Sequence, residues 1–205
     1  MSDHHIDRTR KIIAVAALLL LLGGIIALSF SDRTAKPMAI NGDVLGRDSG
    51  EPLDDYIARA GDSLEAAPAD ENAFAMVTFP TALGPADASA TLEDIGRVNA
   101  MILLSAAPIP LPEPVAGETR EDVFNRHLDR LQRSFEGIGE ISAPREINSV
   151  LVWDDGEALR DLSTDPAVMS VEVLPPDAGW GHFGVRPVFT LADVTGGGMA
   201  SPALG

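Results

Sequence analysis

Ile12 to Phe30 reads IIAVAALLLLLGGIIALSF, nineteen residues without a charge and with Ser29 as the one hydroxyl. A helix of that length rises about 28 Å, close to the ~30 Å hydrocarbon thickness of a bilayer. A soluble core helix needs a polar face, and this run has none. It predicts a transmembrane helix over 12–30, so any soluble domain has to be built from the residues that follow. Arg8, Arg10 and Lys11 precede the run, and Arg33 and Lys36 follow it. A short basic tail directly before the span predicts residues 1–11 in the cytoplasm and the C-terminal region outside the cell membrane. Ala27-Leu28-Ser29 offers a small-x-small cleavage site. The apolar stretch is nevertheless longer than the ~7–15 residues of a signal-peptide core, which favours an uncleaved anchor.

The whole chain is too apolar to be a disordered acidic protein, with 45% of its 205 residues hydrophobic, although part of that fraction is spent on the run 12–30. Of the 31 acidic and 15 basic side chains, 29 and 12 follow the span, a net charge of -17 there. Phosphate binding needs clustered Lys and Arg, so nucleic acid is not an expected partner. The absence of cysteine excludes disulfides, thiolate zinc sites and a cysteine nucleophile.

Residues 31–70 read as a polar, turn-rich tether carrying one short helix, with Leu53, Tyr56, Ile57, Ala60 and Leu64 on one face. Residues 71–176 form the predicted extracytoplasmic domain. Strands are expected over 74–79, 98–106, 149–153 and 168–174, and helices over 86–97, 119–137 and 156–163. Strand–helix–strand therefore occurs twice, about 75 residues apart. Two such units are the parts of a ferredoxin-like sandwich, an α+β fold with helices on one face of an antiparallel sheet. The amphipathic helix 119–137 is an insertion between the halves, with Thr119 as N-cap and Val123, Phe124, His127, Leu128, Leu131 and Phe135 on one face. Residues 177–205, rich in glycine, read as a flexible C-terminal tail.

The chemistry-bearing residues form no catalytic constellation. Asp154-Asp155-Gly156-Glu157 lacks the oxygen-ligand spacing of a calcium loop, and Asp155 reads as a helix N-cap. His127 lies on an apolar stripe and reads as a satisfied core imidazole. His182, in Gly-Trp-Gly-His-Phe-Gly, stands in an aromatic loop, but general-base chemistry needs a partner that sets its tautomer. There is no G-x-S-x-G, H-E-x-x-H or phosphate-cradling loop. No catalytic, metal or cofactor-binding residues are therefore assigned. Pro108, Pro110, Pro112 and Pro114 alternate in PIPLPEP, out of P-x-x-P register, and read as a stiff extended loop presenting Ile109 and Leu111. Trp180 and Phe183 are either binding aromatics or fold back onto the sheet. Ile109, Leu111, Trp180, His182 and Phe183 are the residues placed at a protein-binding surface.

Two Lys against thirteen Arg, with abundant Ala, Gly and Asp, give the chain the composition of a GC-rich bacterial genome. In architecture it resembles single-pass cell-envelope proteins of high-GC Gram-positive bacteria. The stretch from Leu162, LSTDPAVMSVEV, resembles the end of propeptide-type protease inhibitor domains, where L-x-x-[DN]-P-x-V-x-x-V-E precedes the final strand. That resemblance implies a ferredoxin-like fold and an inhibitor-like module. The expected role is a membrane-anchored, non-catalytic interaction module binding envelope or membrane proteins. The alternatives are a protease-inhibitor-like module and an envelope hydrolase using His182.

Overall fold

Five strands hydrogen-bond in an order that interleaves the two halves of the chain. The computed structural model describes residues 42–104, 106–136 and 143–190. The apolar run 12–30 lies outside them, and among the described residues no helix is long and apolar enough to cross a membrane. In chain order the elements are β1 (Val44–Leu45), α1 (Leu53–Ala66), β2 (Asn72–Leu83), α2 (Pro85–Thr91), β3 (Arg97–Ile102), β4 (Ile109–Pro110), α3 (Arg120–Phe135), β5 (Ile147–Asp155), α4 (Gly156–Ser163), β6 (Ser170–Val173) and β7 (Gly184–Val185). The fold is α+β. Its main sheet has the order β4-β3-β5-β2-β6, and every neighbouring pair is antiparallel. The units β2–α2–β3 and β5–α4–β6 are the two expected strand–helix–strand repeats, and β5 lies between β2 and β3. The stretch from Leu162 to Val173 is the end of α4 followed by the edge strand β6.

Local chemistry explains the helix ends. Thr119 caps α3 in a reciprocal box: its hydroxyl accepts from the Asp122 amide at 3.2 Å, and the Asp122 carboxylate accepts from the Thr119 amide at 2.8 Å. Asp155 caps α4 by accepting from the Ala158 amide at 2.9 Å, as the sequence suggests. Two arginines serve the opposite ends. Arg160 Nη1 donates to the Leu64 and Ala67 carbonyls at the end of α1, 3.0 Å each. The Arg120 guanidinium donates to the carbonyls of Leu92 and Ile95 beyond α2. The Leu64 and Leu92 carbonyls each also accept one backbone N–H, so the arginines add a second donor there and place a cation where the helix dipole favours it.

Both faces of the sheet are covered, not one. Alternation along β2 sends Ala75, Val77 and Phe79 to a first core with α2, α3 and α4, through Leu92, Val123, Phe124, Leu128, Leu159 and Leu162. Met76 points the other way, into a second core with Tyr56 and Ala60 of α1, Leu151 of β5, and Leu174, Ala178 and Val188. A strand buried on both faces is a continuous apolar run, which is why FAMVTF shows no polar alternation.

The second core changes two expected boundaries. The stretch 177–190 is packed layer, with Ala178, Val188 and Thr190 buried. The tether also gives up its later residues: β1 pairs in parallel with β7, Val44 opposite Gly184 and Leu45 opposite Val185. Isolated, each stretch is too short and polar to show a periodic face, and only their mutual packing supplies one. Helix α1 also closes the open edge of β6, where Ser63 Oγ accepts from the Val173 amide at 3.0 Å.

This second layer is anchored by a charge. Glu172 of β6 is buried. Its carboxylate pairs with the Arg59 guanidinium of α1 and accepts from the Gly46 amide at 2.6 Å. Arg59 also reaches both Glu51 oxygens and the Gly46 carbonyl at 3.0 Å. Gly46 has φ +103°, and a Cβ there would stand 2.0 Å from the Arg186 carbonyl oxygen, so no other residue fits. Burial raises the Glu172 carboxyl above its ordinary value of 4.5, against the opposing pull of the Gly46 amide and Arg59.

Arg59→Met is expected to cost about 2 kcal/mol in urea unfolding at pH 7, less than for a fully buried pair because the Arg59 side chain is 41% exposed. With its pKa raised, Glu172 favours the native state most below pH 4.5, and that contribution is lost as pH rises through the folded value. The variant's deficit should therefore shrink between pH 7 and pH 5. A deficit independent of pH would mean that Glu172 is not the stranded group. Thr119→Ala, which removes a surface cap, should cost about 1 kcal/mol by the same assay.

Candidate functional site

Where the second layer stops short of the β3 side, a groove of about 490 Å³ remains open. Phe74, Trp153 and Trp180 line it together with Arg97, Asn99, Pro110 and Leu111. Each comes from a different constraint. Phe74 and Trp153 are cross-strand partners on β2 and β5, and Trp153 is in turn opposite Arg97 of β3. Trp180 is carried in by the segment that follows β6. Pro110 and Leu111 arrive with β4, held against β3 by the Leu111 amide donating to the Asn99 carbonyl at 2.8 Å.

The aromatic rings form one connected stack. Phe74 is its hub, with centroids 6.5 Å from Trp153, 5.6 Å from Trp180 and 5.3 Å from Phe183. Trp180 meets Phe183 edge-on at 6.0 Å. The two indoles remain 40% and 42% exposed. Exposing large aromatic surface costs free energy, and a contiguous apolar patch rimmed by polar groups is the usual mark of a binding surface.

Asn99 is the polar residue at the groove floor. The β3–β5 register slips between Val98 and Ala100, so Asn99 is the extra residue of a bulge, a device that re-aims one side chain. It is 7% exposed, and its Oδ1 is shut from water with no hydrogen-bond partner. Leaving a buried acceptor unpaired costs about 1–3 kcal/mol, a cost removed if the amide turns toward a donor entering the groove. Arg97 supplies the charge. Its Nη1 stands 3.9 Å from Glu113 Oε1, with both side chains more than a third exposed, so its guanidinium keeps donors to spare.

Two residues predicted for a binding surface, Leu111 and Trp180, meet here from segments seventy residues apart. Leu111 is otherwise buried in the first core, and Ile109 packs half-buried against that core. Phe183 folds back onto Phe74 in the second core. His182 is half-buried beside Gly179, and its Nδ1 makes no hydrogen bond. His127 Nδ1 lies 3.0 Å from the Val123 carbonyl, the satisfied helical imidazole expected. Phe74, Arg97, Asn99 and Trp153 were not expected at a site, and Pro110 was read only as part of the stiff loop presenting Ile109 and Leu111. For Asn99 the sequence signal is a lone amide inside the apolar run VNAMILL.

Polar side chains also gather at two places away from the groove. A cleft of about 500 Å³ runs between the C-terminal ends of α2 and α4, bordered by Glu93, Asp94, Asp161 and Asp165. Among the described residues no three His, Asp or Glu converge as metal ligands would. Beneath α1, the Tyr56 hydroxyl faces Ser170, Thr78 and Glu172 without closing a hydrogen bond of full geometry, while Ser149 Oγ donates to Thr78 Oγ1 at 3.4 Å. Burial, then the Glu172 charge, pushes the Tyr56 phenol well above its ordinary value. All five residues are buried, so this is a core network closed to ligands. The chain matches no protein-family model, no curated protein and no solved structure.

Phe74→Ala removes the hub of the stack and should cost about 3 kcal/mol. Trp153 and Trp180 are the chain's two tryptophans, so the same variant should shift tryptophan emission to longer wavelength. Emission unchanged from the parent would show that the indoles do not depend on Phe74.

Proposed function

We propose that this protein is a non-catalytic binding module of the cell envelope, held by a single membrane span at 12–30 with the folded domain on the extracytoplasmic side. The interleaved order of β2, β3, β5 and β6, with helices α2 and α4 as the crossovers, is the pattern we read as ferredoxin-like, with α3 inserted between the halves. The observation that carries the binding role is the aromatic groove. Two indoles stand 40% and 42% exposed around an unpartnered buried amide oxygen, while Tyr56, Phe79 and Phe124 are fully buried. Concave, mostly apolar surfaces with a few convergent polar groups are the common form of a binding site. A protein segment is the partner class this lining suits, because flat aromatic walls and one acceptor can read an extended backbone. The excess of acidic side chains favours a partner surface that is neutral or basic overall, and disfavours anionic lipid head groups.

The test is site-specific photo-cross-linking in intact cells. A photoreactive residue at position 180 is expected to capture one dominant envelope or membrane protein, and Trp153→Ala should abolish the adduct. The same photoreactive residue at exposed position 129, on α3 of the opposite layer, should not capture it. Equal capture from both positions, or capture indifferent to Trp153→Ala, would remove the groove as the binding surface.

A further inference from the structure

The chemistry of the groove narrows what enters it. Five of its seven lining residues are apolar or aromatic, which disfavours a polyol whose hydroxyls all need partners. The two polar residues have complementary capacities: Asn99 brings an acceptor without a partner, and Arg97 brings a fork of donors. An extended chain without internal hydrogen bonds offers both its N–H and its C=O groups outward. Prolyl rings lie flat against indole faces and lose little entropy on binding, because proline holds the chain extended beforehand.

The groove is already bordered by such a segment. Pro110 of PIPLPEP lines it, and three residues later Glu113 turns its carboxylate toward Arg97. At 3.9 Å and with both side chains exposed, that pair is loosely held and exchanges at little cost. We propose that the groove binds an extended segment of the partner protein carrying a proline followed three residues later by a carboxylate. The proline stacks between Trp153 and Trp180, the Asn99 side chain turns its oxygen toward the groove to accept an N–H of the segment, and the carboxylate displaces Glu113 from Arg97. This rests on the protein-binding reading above and adds the chemistry of the segment bound.

Because the chain's two tryptophans both line the groove, intrinsic fluorescence reports on it directly. The full-length chain in mild detergent is titrated with a capped Ala-Pro-Ala-Pro-Glu-Pro-Ala peptide, its Glu-to-Gln analogue, an all-alanine analogue retaining the Glu, and an N-acetylglucosamine tetramer. A saturable change is expected with the first peptide, about five- to tenfold weaker with the Gln analogue. It should be absent with the other two. In Arg97→Gln the first two peptides should bind alike, and Asn99→Leu should weaken both by a similar factor. Arg97 is an exposed side chain, so its variant is not expected to unfold the domain. Equal binding of the all-alanine peptide, a response to the tetramer alone, or no response to any probe would overturn the proposal. If position 180 still captures a protein by cross-linking in that case, the binding reading stands and only the proline–carboxylate chemistry fails. If cross-linking also fails, both fall together.

Discussion

A carboxylate on a strand buried from both sides needs compensation from outside its own sheet. Glu172 occupies that position, and nothing on β2, the strand beside it, neutralises it. The cation comes from α1 and the backbone donor from Gly46. Breaking such a pair leaves an uncompensated charge in the core, far more costly than the pair is stabilising. The arrangement therefore works as a locating device. It holds α1 along the β6 edge and β1 against β7, and so builds the second layer over the sheet. A hydrophobic contact could slide, whereas the forked Arg59 contact to Glu172, Glu51 and the Gly46 carbonyl admits one position.

The groove follows from where that layer ends. The segment after β6 covers the middle of the second face with Leu174, Ala178 and Val188, and delivers Trp180 beside Phe74. On the β3 side its cover runs out, while β4 is only two residues long. The aromatic stack is thus half core and half surface. Phe74 and Phe183 anchor it, and the two indoles are left facing water. The bulge at Asn99 places a polar floor in the same gap. A strand of regular pleat would have sent that amide to one face and Ala100 to the other.

Much of the scaffold was legible before any coordinates. Helix α4 has the expected bounds and α3 differs from its expected range by a residue or two, because each has a clean 3.6-residue stripe and a capping residue, Asp155 or Thr119. Helix α1 has no side-chain cap and was legible from its stripe Leu53–Leu64 alone. The four principal strands overlap their apolar runs, but β2 continues past Pro80 to Leu83, and β3 stops at Ile102, short of the expected 106, where the chain turns at Leu104 with φ +50°. Helix α2 is shorter than expected, ending at Thr91, because Leu92 and Ile95 are buried by a turn that Arg120 clamps from elsewhere in the chain. The second layer was misread as tether and tail. Its residues are apolar only at scattered positions, and no local period reveals a face completed by a distant segment. Leu111 and Trp180 were recognised one at a time as surface candidates. Their meeting depended on a strand order that no local pattern encodes.

By itself the sequence determined the apolar run 12–30, the two strand–helix–strand repeats, the capped helices and the absence of cysteine chemistry. These are properties of composition and short-range periodicity, in which each residue's neighbours along the chain carry the information. Only the tertiary structure decided that both sheet faces are covered, that Glu172 is neutralised by α1, and that Phe74, Arg97, Asn99, Trp153 and Trp180 share one groove. Those outcomes depend on strand order, on a one-residue bulge and on the pairing of segments more than a hundred residues apart. The free energy of such contacts is collected only when the whole chain closes.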